Sequence, residues 1–166
     1  MLVEEIKKDL ISAQKERDEV RLSTLRMLLA AIVNKEKDKR LYVAALNPAL
    51  SSLELDAKER LTDEEVMEVI SSEAKKRKDS IASFEKGARQ DLADQEKKEL
   101  DLLKKYLPED LTEDEIRQIV KEAIAKTNAE GAGNLGIVMK EVSPKTKGRA
   151  DGYLVSQIVK QELEKK

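Results

Sequence analysis

Positively charged side chains gather in segment 139–160, near the C-terminus. Five cations stand there against the two acids Glu141 and Asp151, so five minus two gives a net charge of +3. Pro144, Gly148 and Gly152 predict a loop between the last two helices, and Asp151 is the expected N-cap of the second. Glycines and a helix N-terminus in a basic loop suit the binding of phosphate groups. The candidate nucleic-acid-binding residues are Lys140, Lys145, Lys147, Gly148, Arg149 and Lys160. The alternative is a lysine-rich surface loop that only aids solubility.

A second concentration of positive charge lies in the middle of the chain. Lys75, Lys76, Arg77 and Lys78 follow one another and would occupy about one turn of a helix. These cations form a secondary candidate patch for phosphates. Acids surround them, however, and a charged turn on a helix surface is more often simply solvated.

The residue types needed for common catalytic centres are missing. The chain has no His and no Cys, which excludes imidazole bases, thiolate nucleophiles and the usual zinc sites. The acidic runs 63–65 and 113–115 are typical of first helical turns rather than of magnesium sites. The glycines at 131, 133 and 136 lack the preceding strand and the Lys-Ser/Thr ending of a phosphate-binding loop. We therefore predict no catalytic residue, no metal and no cofactor.

The periodicity of apolar residues predicts helices throughout the first two thirds of the chain. One helix carries Val3, Ile6, Leu10 and Ala13, and a second runs from Arg21 to about Lys39 with Leu22, Leu25, Leu28, Leu29, Ile32 and Val33 on its apolar face. Residues 41–60 interrupt the pattern, apart from a short helix near 53–60. A capping box at Thr62 begins a helix that ends near Gly87, and another follows from about Arg89 to Tyr106, before Pro108.

The remaining residues predict a separate group of three helices. A second capping box, formed by Thr112 and Glu115, begins the first of them. The next ends near Ser143 and Pro144, and the last begins after Asp151. The predicted fold class is thus all-α, with an N-terminal multi-helix domain (1–109, with an insert at 41–60) and a C-terminal three-helix domain (110–166).

Composition agrees with long, charged helices. Charged residues make up 40% of the chain and aromatic residues only 2%, while the formal net charge is −2. Overall charge therefore neither attracts nor excludes a polyanion, and any attraction must be local. No apolar run approaches the ~20 residues that cross a bilayer, and the N-terminus does not resemble a signal peptide, so we expect a cytoplasmic protein without membrane contact. Tyr153 could stack on a base, although surface packing is its commoner role.

Three segments resemble the YqeY family of the GatB/YqeY superfamily. They read RLSTLRMLLAAIVN, then LTDEEVMEVISSEAKKRKDSIASFEKGARQDLADQEKKELDLLKKYLP, then GNLGIVMKEVSPKTKGRADGYLVSQIVKQEL. The resemblance implies two helical domains, the second similar to the tail domain of GatB, a subunit of the tRNA-dependent amidotransferase. That tail contacts tRNA while the chemistry occurs elsewhere. The stretch 41–60 departs from the family pattern because it is longer than the expected connection.

The resemblance implies a function in the amidation of misacylated aminoacyl-tRNA. The leading interpretation is a non-catalytic tRNA-binding module that contacts phosphates through the basic C-terminal loop. A rival is an adaptor that docks on an amidotransferase or an aminoacyl-tRNA synthetase. The weakest alternative is the carbon-nitrogen ligase activity, with glutamine as amido donor, that the family label carries, because only carboxylates and lysines could then act as acids and bases.

Overall fold

The structure, a computed structural model, describes residues 1–129 and 131–164. In those residues it contains eight α-helices, one short 3₁₀ turn and no β-strand, which confirms the all-α prediction. The chain divides into two compact units, Met1–Leu107 and Pro108–Lys166. None of the helices in the described part is long and apolar enough to cross a membrane.

The N-terminal unit contains five helices: α1 (Leu2–Glu16), α2 (Glu19–Leu46), α3 (Ser52–Glu59), α4 (Asp63–Lys86) and α5 (Gln90–Lys104). Apolar side chains from α1, α2, α4 and α5 form its core. The most deeply buried of them are Ile6, Leu25, Leu28, Ile32, Val66, Ile70 and Leu103. The prediction that Val33 is buried is wrong, because its side chain is 45% exposed and does not belong to the core.

Side-chain caps define where several helices begin. The Thr62 hydroxyl accepts a hydrogen bond from the Glu65 amide at 3.2 Å, and the Glu65 carboxylate accepts one from the Thr62 amide at 2.8 Å. The same carboxylate binds the Lys39 ammonium at 2.7 Å. Hydrogen bonds from Lys39 and Thr62 hold the pKa of Glu65 below its usual value. The predicted capping box therefore also joins α4 to α2.

Helix α2 extends further than the sequence pattern indicates. It continues beyond Lys39 to Leu46 and stops at Asn47, which precedes Pro48. Ser51 then caps α3 through a capping box with Glu54. Helix α3 has no buried residue and is held beside α2 by Arg40, as described below.

The C-terminal unit contains α6 (Glu113–Thr127), a 3₁₀ turn (Ala132–Asn134), α7 (Leu135–Thr146) and α8 (Gly152–Glu164). The three α-helices pack on one another around a core of Ile116, Val120, Ala123, Ile124, Val138, Val142, Val155, Ile158, Val159 and Leu163. Thr112 caps α6 with the predicted capping box. Arg117 of α6 binds the buried Glu162 of α8 at 3.1 Å, which fixes the two helices to each other at their edge.

Candidate functional site

The connection between α7 and α8 is shorter than predicted. Pro144 lies inside the last turn of α7 rather than at its end, so the connection consists only of residues 147–151. Gly148 adopts a left-handed conformation with φ 76°, which suits glycine. The amides of Arg149 and Ala150 both donate to the Thr146 carbonyl at 3.0 Å. The bend is therefore closed by its own backbone, and Lys145 belongs to a helix instead of a loop.

Arg149 fastens this bend to the start of the unit. Its Nε donates to the Glu109 carbonyl at 3.1 Å, while its own carbonyl accepts from the Leu111 amide at 2.7 Å. The side chain is half-buried. In the structure, Arg149 holds the segment that enters α6.

The N-terminus of α8 is already occupied. The Asp151 carboxylate accepts hydrogen bonds from the amides of Tyr153 at 2.8 Å and Leu154 at 3.1 Å. Asp151 is thus the N-cap that the sequence predicts. For the same reason the prediction that this helix end offers its positive dipole to a phosphate is wrong, since an external anion would meet the carboxylate.

The predicted cations do not lie on one surface. At about 100° per residue, Lys145 lies about 140° around α7 from Lys140. It is 3.8 Å from Glu122 of α6, next to the 2.6 Å ion pair between Lys126 and Glu141. The hydrogen bond from Lys126 is the main cause of the lowered pKa of Glu141. Lys145 is therefore part of a charged seam between α6 and α7.

Lys160 is separated from the bend in another way. It lies eight residues into α8, which places it about 12 Å along the helix from Gly152. It is exposed to solvent. A ligand would have to follow α8 for two turns to contact both Lys160 and the bend.

Lys140 and Lys147, by contrast, share one exposed side of α7. Within about 60° of Lys140 around the helix lie Gly136, Ile137, Pro144 and Lys147, and all five residues are exposed. We call these five residues the α7 face. The only acid in residues 131–150 is Glu141, whose carboxylate binds Lys126. Two exposed lysines thus lie on one side of α7, and Glu141 is not among the five residues of this face.

Two glycines beside Lys140 are not required by the fold. A Cβ atom built on Gly133 or on Gly136 would meet no atom within 4 Å, and neither residue has a left-handed backbone. Glycine near a helix start costs stability relative to alanine. Their small size leaves the N-terminal part of the α7 face flat and open to close approach from outside. Sequence reasoning missed this surface, although the spacing of positions 133, 137, 140 and 144 is helical.

The secondary patch divides in a similar way. Arg77 is buried: it donates to a Glu73 carboxylate oxygen at 2.9 Å and to a Glu99 carboxylate oxygen at 3.2 Å. Because both acids already occupy its guanidinium inside the unit, Arg77 does not belong to the predicted secondary patch for phosphates. Lys76 is exposed but binds Glu73 at 2.7 Å. Lys75 and Lys78 are exposed on the outer side of α4.

Groups suited to acid-base catalysis are engaged elsewhere. Glu65 and Glu115 serve in capping boxes, and in the described residues no group of three or more acids is arranged to hold a metal ion. Tyr153 projects from the first turn of α8 and is 75% exposed, so it does not pack in the core. The side chains with the chemistry for contacting an anion are therefore the exposed lysines of the α7 face.

Comparison with known proteins identifies relatives of the chain. Residues 34–163 match the sequence model of a family described as "YqeY: Yqey-like protein". A protein of Pyrenophora tritici-repentis, named "Altered inheritance of mitochondria protein 41, mitochondrial", is 31% identical over 156 residues, which are 92% of this chain and 76% of that protein. Proteins of the same name from Vanderwaltozyma polyspora and Lachancea thermotolerans are each 34% identical, over 61% and 63% of this chain. The chain spans slightly less than half the length of these two, 46% and 47%.

These names correct one prediction. The sequence led us to expect a cytoplasmic protein, whereas the relatives are named as mitochondrial proteins. The expectation rested on the absence of a recognisable targeting segment. It is contradicted by the names of the relatives.

Proposed function

Because the chain belongs to the YqeY-like family, we propose that its C-terminal unit is a non-catalytic module that binds tRNA through the sugar-phosphate backbone. The observation that carries the proposal is the α7 face, on which the exposed side chains of Lys140 and Lys147 lie on the same side of the helix. Lysine is a point charge that binds phosphate without a fixed geometry, so we expect contacts with the backbone rather than with base edges.

The charge distribution of the unit makes the binding local. Residues 108–166 contain ten Lys and Arg against eleven Asp and Glu, so the unit as a whole does not attract RNA. Its acids are concentrated at the start of α6, where Glu113, Asp114 and Glu115 occupy the first turn. An RNA would therefore approach the α7 face and avoid the beginning of α6. This favours a small number of phosphate contacts and moderate affinity.

The glycines extend the proposed contact. Since nothing inside the unit fills the space beside Gly133 and Gly136, a sugar-phosphate strand can pass close to the backbone there. The first turn of α7 carries no acid. A methyl group at Gly136 would therefore interfere with the RNA without interfering with the fold.

The first test compares two double variants, each of which removes two positive charges. In Lys140→Gln/Lys147→Gln, two phosphate contacts are lost, and at about 150 mM salt the affinity for unfractionated tRNA should fall roughly 10- to 30-fold. The matched control is Lys8→Gln/Lys15→Gln, which removes two exposed cations from α1 and should leave the affinity within about twofold. If both double variants weakened binding equally, overall charge rather than the α7 face would explain the affinity.

Gly136→Ala is the second test, and it separates binding from stability. It should leave the free energy of unfolding unchanged or raise it by about 0.5 kcal/mol, because alanine favours a helix and its Cβ has room. The affinity for tRNA should nevertheless fall. An alanine variant that binds as tightly as the wild type would remove the glycines from the proposed contact.

Ile137 supports a second candidate function. This side chain is 55% exposed at one edge of the α7 face, and an apolar residue contributes little to phosphate binding. It suits an adaptor that docks on an amidotransferase or an aminoacyl-tRNA synthetase. Capture of such a protein by the wild type, measured before and after nuclease treatment, separates the two functions. Capture that resists nuclease and is lost in Ile137→Asp would favour the adaptor.

A further inference from the structure

A group of strongly exposed apolar side chains lies at the end of α2 and on α3. Leu41 is 70% exposed, Tyr42 66%, Leu46 62% and Leu53 82%. We call these four residues the α2–α3 tip. At about 100° per residue the three side chains on α2 fall within an arc of about 140°, so they form one surface. Exposed Leu and Tyr side chains gathered in this way mark an interaction site more often than a solvated surface.

The surface is held in a defined shape. Arg40 of α2 binds both Asp56 and Glu59 of α3, and it also donates to the Ser52 hydroxyl at 3.1 Å. These contacts place the N-terminal half of α3, with Leu53, beside the end of α2. A capping box at Ser51 begins α3 independently. The α2–α3 tip is therefore preorganised, so binding a partner would not require it to become ordered.

From this geometry we propose that the α2–α3 tip binds the tip of a second copy of the chain, which forms a two-fold symmetric dimer. The four side chains expose on the order of 500 Å² of largely apolar surface, near the upper limit for a monomer. Joining two such surfaces buries roughly 1,000 Å² in total, which reaches the lower limit for specific interfaces. A tip-to-tip contact is therefore large enough to form a weak dimer.

The charges around the tip favour a second copy over a strongly charged partner. The exposed charged residues beside it are three of each sign: Lys37, Asp38, Glu54, Asp56, Lys58 and Arg60. A two-fold axis brings the same surface together with itself, and a balanced rim allows opposite charges to meet there. A strongly acidic or basic partner would gain nothing from such a rim. The dimer should accordingly change little between 50 and about 500 mM salt.

Sedimentation equilibrium tests the proposal on the full chain. The average mass should rise with concentration from 18.7 kDa towards twice that value, with half of the chains paired in the range of tens of micromolar. Leu46→Asp should weaken the pairing at least tenfold, whereas Ile11→Asp, which changes an exposed apolar residue of α1, should not. Both positions are exposed, and circular dichroism verifies that both variants stay folded. A wild type that remains at 18.7 kDa up to millimolar concentration overturns the proposal.

Single cysteines locate the interface. The chain has no Cys, so each substitution introduces one thiol. Leu41→Cys, Tyr42→Cys, Leu46→Cys and Leu53→Cys are oxidised separately under mild conditions. A disulfide needs Cα atoms within about 7 Å, which two identical positions achieve only next to a two-fold axis. At least one tip variant should form a linked dimer faster than Ile11→Cys. Equal rates at all five positions would indicate random collision and would contradict the proposal.

Discussion

Replacing Arg77 with methionine should destabilise the N-terminal unit strongly. The guanidinium lies between α4 and α5, where it binds Glu73 at 2.9 Å and Glu99 at 3.2 Å. Glu99 is only 6% exposed, so water cannot replace the lost partner. Glu73 keeps its ion pair with Lys76 at 2.7 Å. The cost should therefore come mainly from the carboxylate of Glu99, which would remain buried without a cation.

The size of the effect follows from the burial of this pair. Removing one partner of a buried pair costs about 3–5 kcal/mol. A domain of this length has roughly 5–15 kcal/mol of stability, so the single variant should lose a large part of it. Replacing both partners, in Arg77→Met/Glu99→Leu, should cost much less, about 1 kcal/mol or less. One reason is that the buried Arg77 Nε has no hydrogen-bond partner in the described part of the chain, so the native pair is not fully satisfied.

Urea unfolding followed by circular dichroism measures both variants, with separate transitions fitted for the two units. Burial raises the pKa of Glu73, but hydrogen bonds from Lys76 and Arg77 outweigh it and leave the pKa below its usual value. A lowered pKa in the folded state means stability that is present at neutral pH and is lost as the pH falls below the usual range of a glutamate. The part of the Arg77→Met penalty that comes from Glu73 should therefore shrink under acid conditions. A cost under about 1 kcal/mol at neutral pH would show that Arg77 behaves as a solvated cation and would refute this reasoning.

Three further substitutions test individual features of the fold. Burial, together with the charge of Glu99, raises the pKa of Glu96, so the ionised form of Glu96 is disfavoured in the folded state. Glu96→Gln should therefore stabilise the protein at pH 7. In urea titrations this gain should vanish below about pH 4, where Glu96 is protonated in both states. Ala88 has a left-handed φ of 54°, and Ala88→Gly should raise the free energy of unfolding by about 0.5–1 kcal/mol, while an unchanged value would mean that the turn is unstrained. Thr112→Ala removes the cap of α6 and should lower the melting transition of the C-terminal unit by an amount equivalent to about 1 kcal/mol, whereas Thr112→Ser should not.

Features that depend on residues close together in sequence could be predicted. The capping boxes at Thr62 and Thr112 each need only a residue pair three positions apart, and both are present. Asp151 as an N-cap belongs to the same class. The helical fold class follows from periodicity over ten to twenty residues, which local patterns also supply.

Features that depend on another helix could not be predicted. Arg77 is buried because Glu99 lies opposite it, 22 residues away on α5. Lys145 is near Glu122 of α6, and nothing in segment 139–160 indicates this. A run of cations therefore predicts positive charge but not where each side chain points. Only the packing of three helices shows that Lys145 belongs to the charged seam, whereas Lys140 and Lys147 belong to the α7 face.

Pro144 misled the prediction for a different reason. Proline usually ends a helix because it cannot donate to the carbonyl four residues earlier. In α7 that carbonyl belongs to Lys140, which lies on the exposed side of the helix, where water can replace the missing hydrogen bond. The helix therefore continues for two more residues, to Thr146. This continuation is what places Lys147 on the same side as Lys140.

The salt dependence of tRNA affinity tests the proposed function most directly. The slope of log affinity against log salt should decrease in magnitude by about 1.4–1.8 in Lys140→Gln/Lys147→Gln, because each neutralised phosphate contributes about 0.7–0.9. The control Lys8→Gln/Lys15→Gln should keep the slope of the wild type. A double variant at the α7 face with an unchanged slope and unchanged affinity would contradict the proposal that this face binds the RNA backbone.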